Sequence, residues 1–417
     1  MLEHLRVLDL TDERGLLCGR MLADLGADVV QVEPPGGSTA RSVPPTVATG
    51  TSLYWETFAA SKRGLSVDLD DDAGLALLRQ LAASADVVVT SLPASWLLER
   101  QLDPDTLRAE SPELVYAHIS AFGWAGPKAG YADSDLVVWA AGGPLDPHRG
   151  EDGRPLRISV PQAFLHAAAD AAAGSLLAVL ARGTTGRGQV VDVSAQASVG
   201  VATLARNLAA VVGDAHPEWH QQPVAGRTDQ SGSGAATPIR LKKWQCADGM
   251  VELHLSMGPA AGGFTNSLFG WLRDEGAVDE RIAAWDWRVV PDRLVGGELT
   301  GDDIDQARAA VRAFLLTRTK AEILDAALER RLLCMAIFDT ADISAADHLQ
   351  ERGFWDTVEI DGVPTRIPGR MAQISGGGMP QARRRAPRLG EHTDEVLHDW
   401  LGRRAPASVD RRVGAAR

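Results

Sequence analysis

The sequence predicts an α/β fold, a doubly wound, Rossmann-like sheet joined to a smaller α+β domain. Three observations predict it. Short apolar, β-branched runs alternate with helix-patterned segments over the first 200 residues. That alternation fades near residue 201 into a stretch rich in Gly, Pro and Ser. A hairpin pattern then opens at "KKWQCADGMVELHLSM".

Element by element, "LRVLDL" is an apolar strand ending in Asp9, and "LLCGRMLADLG" has apolar residues at helical spacing and stops at Gly26. "ADVVQVEPP" is a second strand, ended by Pro34-Pro35. "DDDAGLALLRQLAASA" is a helix whose acidic start suits the positive end of the helix dipole. "DVVVTSL" and "LVYAHIS" follow as buried strands. The domains expected are 1–200 (large, Rossmann-like), 201–240 (linker and mobile loop), 241–335 (small α+β) and 336–417 (a return onto the large domain). The closing "VGAAR" reads as a disordered tail.

With 417 residues, 45% of them hydrophobic, the chain can bury a large core. Its formal charge of −13 argues against nucleic-acid binding, which needs clustered Lys and Arg. Cys18, Cys246 and Cys334 are far apart and form no CxxC pair, so neither a zinc site nor a disulfide framework is expected. "MLEHLRVLDL" runs straight into a strand without a secretory leader, and "AAAGSLLAVLA" is too short, at 11 residues, to span a bilayer. A soluble, cytoplasmic protein with no membrane contact is expected.

Ligands of such sheets bind where strands end and helices begin. The first of these loops, "TDERGLLCG", lacks GxGxxG, which argues against a nicotinamide cofactor. The second, "VEPPGGSTAR", combines a Gly-Gly turn with Arg41, suiting either a phosphate or plain solvent. "SKRGLSVDL" sets Lys62 and Arg63 before a strand, as a phosphate contact or as a solvated pair.

In order along nearly the whole chain, "MLADLGADVVQVEPPGG", "SLYWETFAASKRGLSVDL", "SPELVYAHISAFGWAGP", "LAVLARGTTGRGQVVDVSAQAS" and "APRLGEHTDEVL" resemble the class III CoA-transferases. That family includes formyl-CoA transferase, carnitine CoA-transferase and α-methylacyl-CoA racemase. The resemblance implies an interlocked dimer and coenzyme A lying along the strand ends of the large domain. It makes Arg41, Lys62 and Arg63 candidates for the CoA phosphates, and Val67, Asp68, Leu69 and Asp70 candidates for its adenosine end. Ser91, Leu92 and Arg100 complete the implied CoA contacts. Acyl-CoA and a small carboxylic acid become the expected substrates, with no metal.

Departures from the family pattern fall on the acyl side. Ser91 replaces an asparagine, and the first loop's Ala-Gly-Pro is Arg14–Leu16 here, keeping only Gly15. "QSGSGAA" loosely matches the Gly-rich loop that covers some of these active sites. The family's nucleophilic aspartate attacks the thioester and passes CoA on through covalent intermediates. Counting back from "GSLLAVLARGTTGRG" puts Phe164 at that position. Nearby, His166 is either a structural histidine or a general base, and Asp170 either pairs with an arginine or supplies the nucleophile from a shifted register. Six residues along a helix is about 1.7 turns and roughly 9 Å, so Asp170 would work from another face.

Three readings follow: a CoA-transferase using Asp170, an acyl-CoA dehydratase, isomerase or hydrolase using His166, or a non-catalytic CoA-binding subunit whose related partner carries the aspartate. A homodimer is expected under the first, a heterodimer under the last. The tryptophans between 218 and 290 fit either an apolar acyl site or ordinary core.

Overall fold

The structure, a computed structural model, describes residues 1–145, 154–204, 208, 211, 243–370, 372–375 and 384–403. The "QSGSGAA" loop, most of the expected linker and the "VGAAR" tail lie outside them. Two compact units emerge, 1–222 with 351–417, and 223–350.

The larger unit holds six parallel strands: β1 (Arg6–Leu10), β2 (Asp28–Glu33), β3 (Arg63–Ser66), β4 (Val87–Thr90), β5 (Val115–Ser120) and β6 (Val190–Ser194). Their order is β3-β2-β1-β4-β5-β6. The chain winds outward from β1 to β3, then restarts on β1's other side with β4. The switch point therefore falls between β1 and β4, where the loops leaving two adjacent strands part and open a crevice.

Period-two alternation sorts side chains to the two faces. Val7, Val29, Val87, Val89, Val115, Ala117 and Ile119 enter one core, with α1 (Leu16–Asp24) and four later helices of this unit in part. Leu8, Val30, Val88 and Tyr116 enter the other, beneath α3 (Asp72–Ala83) and the C-terminal helix Thr393–Leu401. Between α1 and α3 lies the short α2 (Leu53–Phe58). After α3 come α4 (Ala94–Glu99), α5 (Pro104–Glu110), α6 (Asp135–Gly142), α7 (Ala163–Thr185) and α8 (Ala195–Gly200). Gly26, just past α1, has φ +102°, a conformation that suits glycine and lets the chain turn into β2.

Helix α7 is longer than the 11-residue apolar run read from sequence. At 23 residues it is long and apolar enough to cross a membrane by length and composition alone. Its alanines instead pack in the core: Ala163, Ala167, Ala168, Ala171 and Ala172 are buried. Small side chains on that stripe allow close helix approach, and Gly174 leaves room that Val191 would deny to any Cβ, at 2.7 Å.

The open edge of β3 is covered from far along the chain. Gly64 N–H donates to His392 Nδ1 at 3.1 Å, and His392 N–H donates to the Gly64 carbonyl at 2.9 Å. At Gly64, therefore, the edge strand offers no free backbone groups.

The smaller unit contains an antiparallel sheet of β7 (Lys243–Cys246), β8 (Gly249–Leu253) and β9 (Cys334–Ile337). Trp244, Trp271, Trp285 and Trp287 lie in its core, with Trp287 stacked on Phe269 at 4.9 Å. Of the two readings open in the sequence, these four tryptophans take the core one. In the larger unit, a final hairpin, β10 (Trp355–Ile360) and β11 (Val363–Pro368), precedes the C-terminal helix.

Candidate active site

The site is assembled from the loops after β1, β4 and β5, with His118 on β5 and Asp192 on β6. The Asp9 carboxylate at the end of β1 is fully buried and accepts from Thr11 N–H and Thr11 Oγ1, at 3.0 and 2.6 Å. Lys62, equally buried, donates to Asp9 Oδ2 (2.7 Å), the Leu16 carbonyl (2.9 Å) and Gln31 Oε1 (2.8 Å). Those contacts use all three ammonium donors, so Lys62 has none left for a phosphate. Burial pulls its pKa down, and Asp9 opposes that pull. Lys62 therefore braces the base of the loop after β1, which corrects its placement among the phosphate ligands.

Beyond Thr11, Ser91 at the end of β4 ties the two switch-point loops together. Asp12 N–H donates to Ser91 Oγ at 2.9 Å, and Ser91 Oγ donates to Asp12 Oδ1 at 2.7 Å. Asp12 in turn holds Arg14 through Nε and Nη2, at 2.6 to 3.1 Å, while Arg14 Nη1 reaches Asp133 at 3.2 Å. Burial works against the Arg14 charge, but Asp12, Asp133 and Glu13 outweigh it and raise the guanidinium above its ordinary value. Tyr54 closes the same region, donating from its hydroxyl to the Glu13 carbonyl at 2.7 Å.

On the other side of Ser91, His118 Nε2 stands 3.1 Å from the Leu92 carbonyl. Its Nδ1 has no hydrogen bond and lies 3.9 Å from Asp192 Oδ1. Asp192 also accepts the Trp124 N–H at 2.9 Å, fixing the loop after β5. The His118 contact, with the Trp124 N–H, holds the Asp192 carboxyl below the usual range against the opposing effect of burial. Two polar groups thus line the strand ends, Arg14–Asp12–Ser91 on one side and His118 with Asp192 and the Trp124 N–H on the other, with 3.9 Å between His118 Nδ1 and Asp192.

The other predicted contacts separate into two groups. Arg100 is drawn to the loop after β3: Nε donates to the Leu69 carbonyl (3.3 Å), Nη2 to Asp70 (2.8 Å), and the guanidinium lies 4.2 Å over Trp96. Val67 is buried beside them, and Asp68 accepts the Asp70 N–H. Arg41 pairs bidentately with Glu33, donates to the Pro387 carbonyl and lies 4.0 Å over Trp55. Its Nη1 donors make no hydrogen bond among the described residues. Arg63 goes the other way. It opens β3 and binds Asp28, the first residue of β2, together with Glu395 and Asp399. That is the amino end of the sheet, opposite the ligand edge, which corrects its assignment to a CoA phosphate.

Helix α7 starts beside this network. Asp135 Oδ1 accepts the N–H groups of Gln162 and Ala163, both at 2.8 Å, so a side chain from α6 caps α7. Asp135 was missed in the sequence, although Ser134-Asp135 before an apolar helix is an N-terminal signature. Phe164 follows in the first turn, half-buried against the core. His166 and Asp170 share the outward face, and Asp170 makes no ion pair among the described residues. The arginine at the other end of the helix, Arg182, binds Asp86 instead. Leu177 and Leu180 continue the outward face at 66% and 73% exposure.

The model of CoA-transferase family III matches residues 2–393. The chain belongs to CoA-transferase family III. Among curated members, the succinyl-CoA:(R)-benzylsuccinate CoA-transferase subunit BbsE of Thauera aromatica is 31% identical over 94% of this chain and 92% of its own length. The succinyl-CoA:mesaconate CoA-transferase of Haloarcula hispanica is 30% identical, over 95% of this chain and 96% of its own. A CAIB/BAIF family protein from Brucella suis has a similar solved structure, with a TM-score of 0.74 and 25% identity, covering 96% of this chain and 99% of that one.

Proposed function

We propose that this family III member transfers CoA between an acyl-CoA and a carboxylic acid, at the crevice between the loops after β1 and β4. The observation that carries the reading is the Asp12–Ser91–Arg14 network at the switch point, where an open parallel sheet takes its ligand, in a chain that matches the family along 2–393. The adenosine end of CoA is assigned to Leu69, Asp70, Arg100 and Trp96. Its phosphates go to Arg41, and its pantetheine passes Ser91 and Leu92 toward α7. Three free cysteines suit a reducing, cytoplasmic compartment.

The chemistry is where Phe164 intervenes. A phenyl ring cannot attack a thioester, so a carboxylate must come from elsewhere. Asp170 could supply it only by turning its outward face toward the thioester. His166 has no orienting partner among the described residues, which leaves the general-base alternative without geometric support.

A second reading has specific support: the chain pairs with a related subunit that brings the aspartate. Phe164 sits in the first turn of α7, Leu177 and Leu180 stand uncovered along the helix, and the Thauera relative is named as a subunit. To separate the readings, the full chain is incubated alone with succinyl-CoA and a second acid, and new CoA esters are measured by mass spectrometry. Exchange by the chain alone favours a homodimer using its own groups. Exchange only after mixing with a family member that carries aspartate at the Phe164 position favours the heteromer. No exchange under either condition would sink the transfer reading.

A further inference from the structure

Arg14 is an unusual occupant of the switch point. A guanidinium has five N–H donors. Asp12 takes Nε and one donor of Nη2, Asp133 takes one of Nη1, and five less three leaves two. The Asp12 pairing is bidentate, and Asp12 is itself anchored by Ser91, so the guanidinium plane is fixed. The Asp133 contact is of another kind. It is a single bond of 3.2 Å, from a stretch, 131–134, that is exposed throughout.

Two residues past Asp133, Asp135 caps the helix turn that bears Phe164. Two residues span at most about 7 Å, so Arg14 is a short reach from that turn. The site thus has a fixed guanidinium with unspent donors, near the expected reaction centre, and partly covered by a weakly held carboxylate.

We propose that Arg14 reads the second, non-reacting carboxylate of a dicarboxylic acid or its CoA ester, and that Asp133 holds that place until the acid arrives. The inference rests on the transfer reading above and names its substrate class. Electrostatics favours an exchange over an addition. A further anion beside Asp12, Glu13 and Asp133 would be repelled, whereas an anion displacing Asp133 leaves the local charge unchanged. On leaving, Asp133 gives up a single 3.2 Å bond, in a stretch whose backbone is exposed although its own side chain is 23% exposed. A monocarboxylic acid commits its only carboxylate to the reaction and has nothing to offer Arg14. The Thauera and Haloarcula relatives act, by name, on succinyl-CoA with benzylsuccinate or mesaconate, all carrying two carboxylates in the free acid.

The test is calorimetric titration of the full chain, saturated with CoA, with succinate and with butyrate. The wild type is expected to prefer succinate. Arg14→Gln should weaken succinate binding about 10–100-fold, the worth of a charge-assisted contact, and bring the succinate-to-butyrate ratio close to one. Arg14→Lys should recover part of the preference, and Asp133→Asn should tighten succinate binding several-fold by removing the competitor. The proposal is overturned if the wild type fails to prefer succinate, if Arg14→Gln keeps the wild-type ratio, or if Asp133→Asn leaves succinate affinity unchanged. A chain that behaves as expected here yet exchanges no CoA upholds the role of Arg14 and overturns the transfer reading instead.

Discussion

Replacing Lys62 by methionine tests whether the loop after β1 rests on a buried ion pair. The substitution keeps an unbranched side chain but removes the three donors to Asp9, Leu16 and Gln31. Asp9, fully buried, then keeps its charge with only the Thr11 contacts, or must take up a proton. Breaking a buried pair from one side costs about 3–5 kcal/mol, a large share of a typical total of about 5–15. With a urea dependence of about 3 kcal/mol per M, the midpoint should fall by about 1–1.7 M. Hydrogen exchange on peptides of the six-stranded sheet would follow this unit apart from residues 243–350. The double variant Asp9→Asn/Lys62→Met buries no charge and should recover at least half of the loss. A single variant within about 1 kcal/mol of wild type, or a double variant weaker than the single, would refute the reasoning.

Three further outcomes are expected. Phe164→Asp returns a carboxylate to the first turn of α7, so acyl-CoA plus hydroxylamine should give a trapped adduct at residue 164, seen by peptide mass spectrometry. No adduct would mean that the turn does not face the thioester. Burial pushes the Cys334 thiol up to about 12 and raises Cys18 and Cys246 as well, so a thiol reagent at pH 8 should label none of the three until urea is added. The Asp192 carboxyl is held low mainly by His118, so its stabilising contribution is complete above the ordinary carboxylate pKa of about 3.9. That contribution is lost as pH falls through the lowered value. Asp192→Asn should therefore flatten the stability profile below about pH 4, and an unchanged slope would count against the His118 contact.

Much of the large unit was legible because its strands obey a local rule. Val7, Leu8, Val87, Val88 and Val89 are apolar wherever they point, as strands covered on both faces must be. The helix limits of α1 and α3 came from Gly26 and the acidic run at Asp71 and Asp72 in the same local way. Strand order is not local, so the switch point was invisible, and with it the pairing of Asp12 with Ser91 across 79 residues. "SKRG" shows the limit most clearly. Two adjacent cations looked alike in sequence, but one turns inward to Asp9 and the other to Asp28 at the far edge of the sheet. Only the positions of their partners, 53 and 35 residues away, decide which way each goes. Asp192 and His118 were missed for the same reason, since each lies within a stretch that otherwise reads as plain strand.

The closure of β3 by His392 has a consequence for the order of synthesis. Gly64 leaves the ribosome 328 residues ahead of the histidine that pairs with it. At about 5–20 residues per second, that is roughly 15–65 s during which the strand is made but its margin is bare. Arg63 waits as long for Asp399, and Asp28 for the Trp400 indole. A nascent chain stalled before residue 390 would carry a nearly complete sheet with one side still able to recruit a stranger's strand. Removing only the last turns of the protein should therefore leave it prone to association while the strand-end loops stay intact.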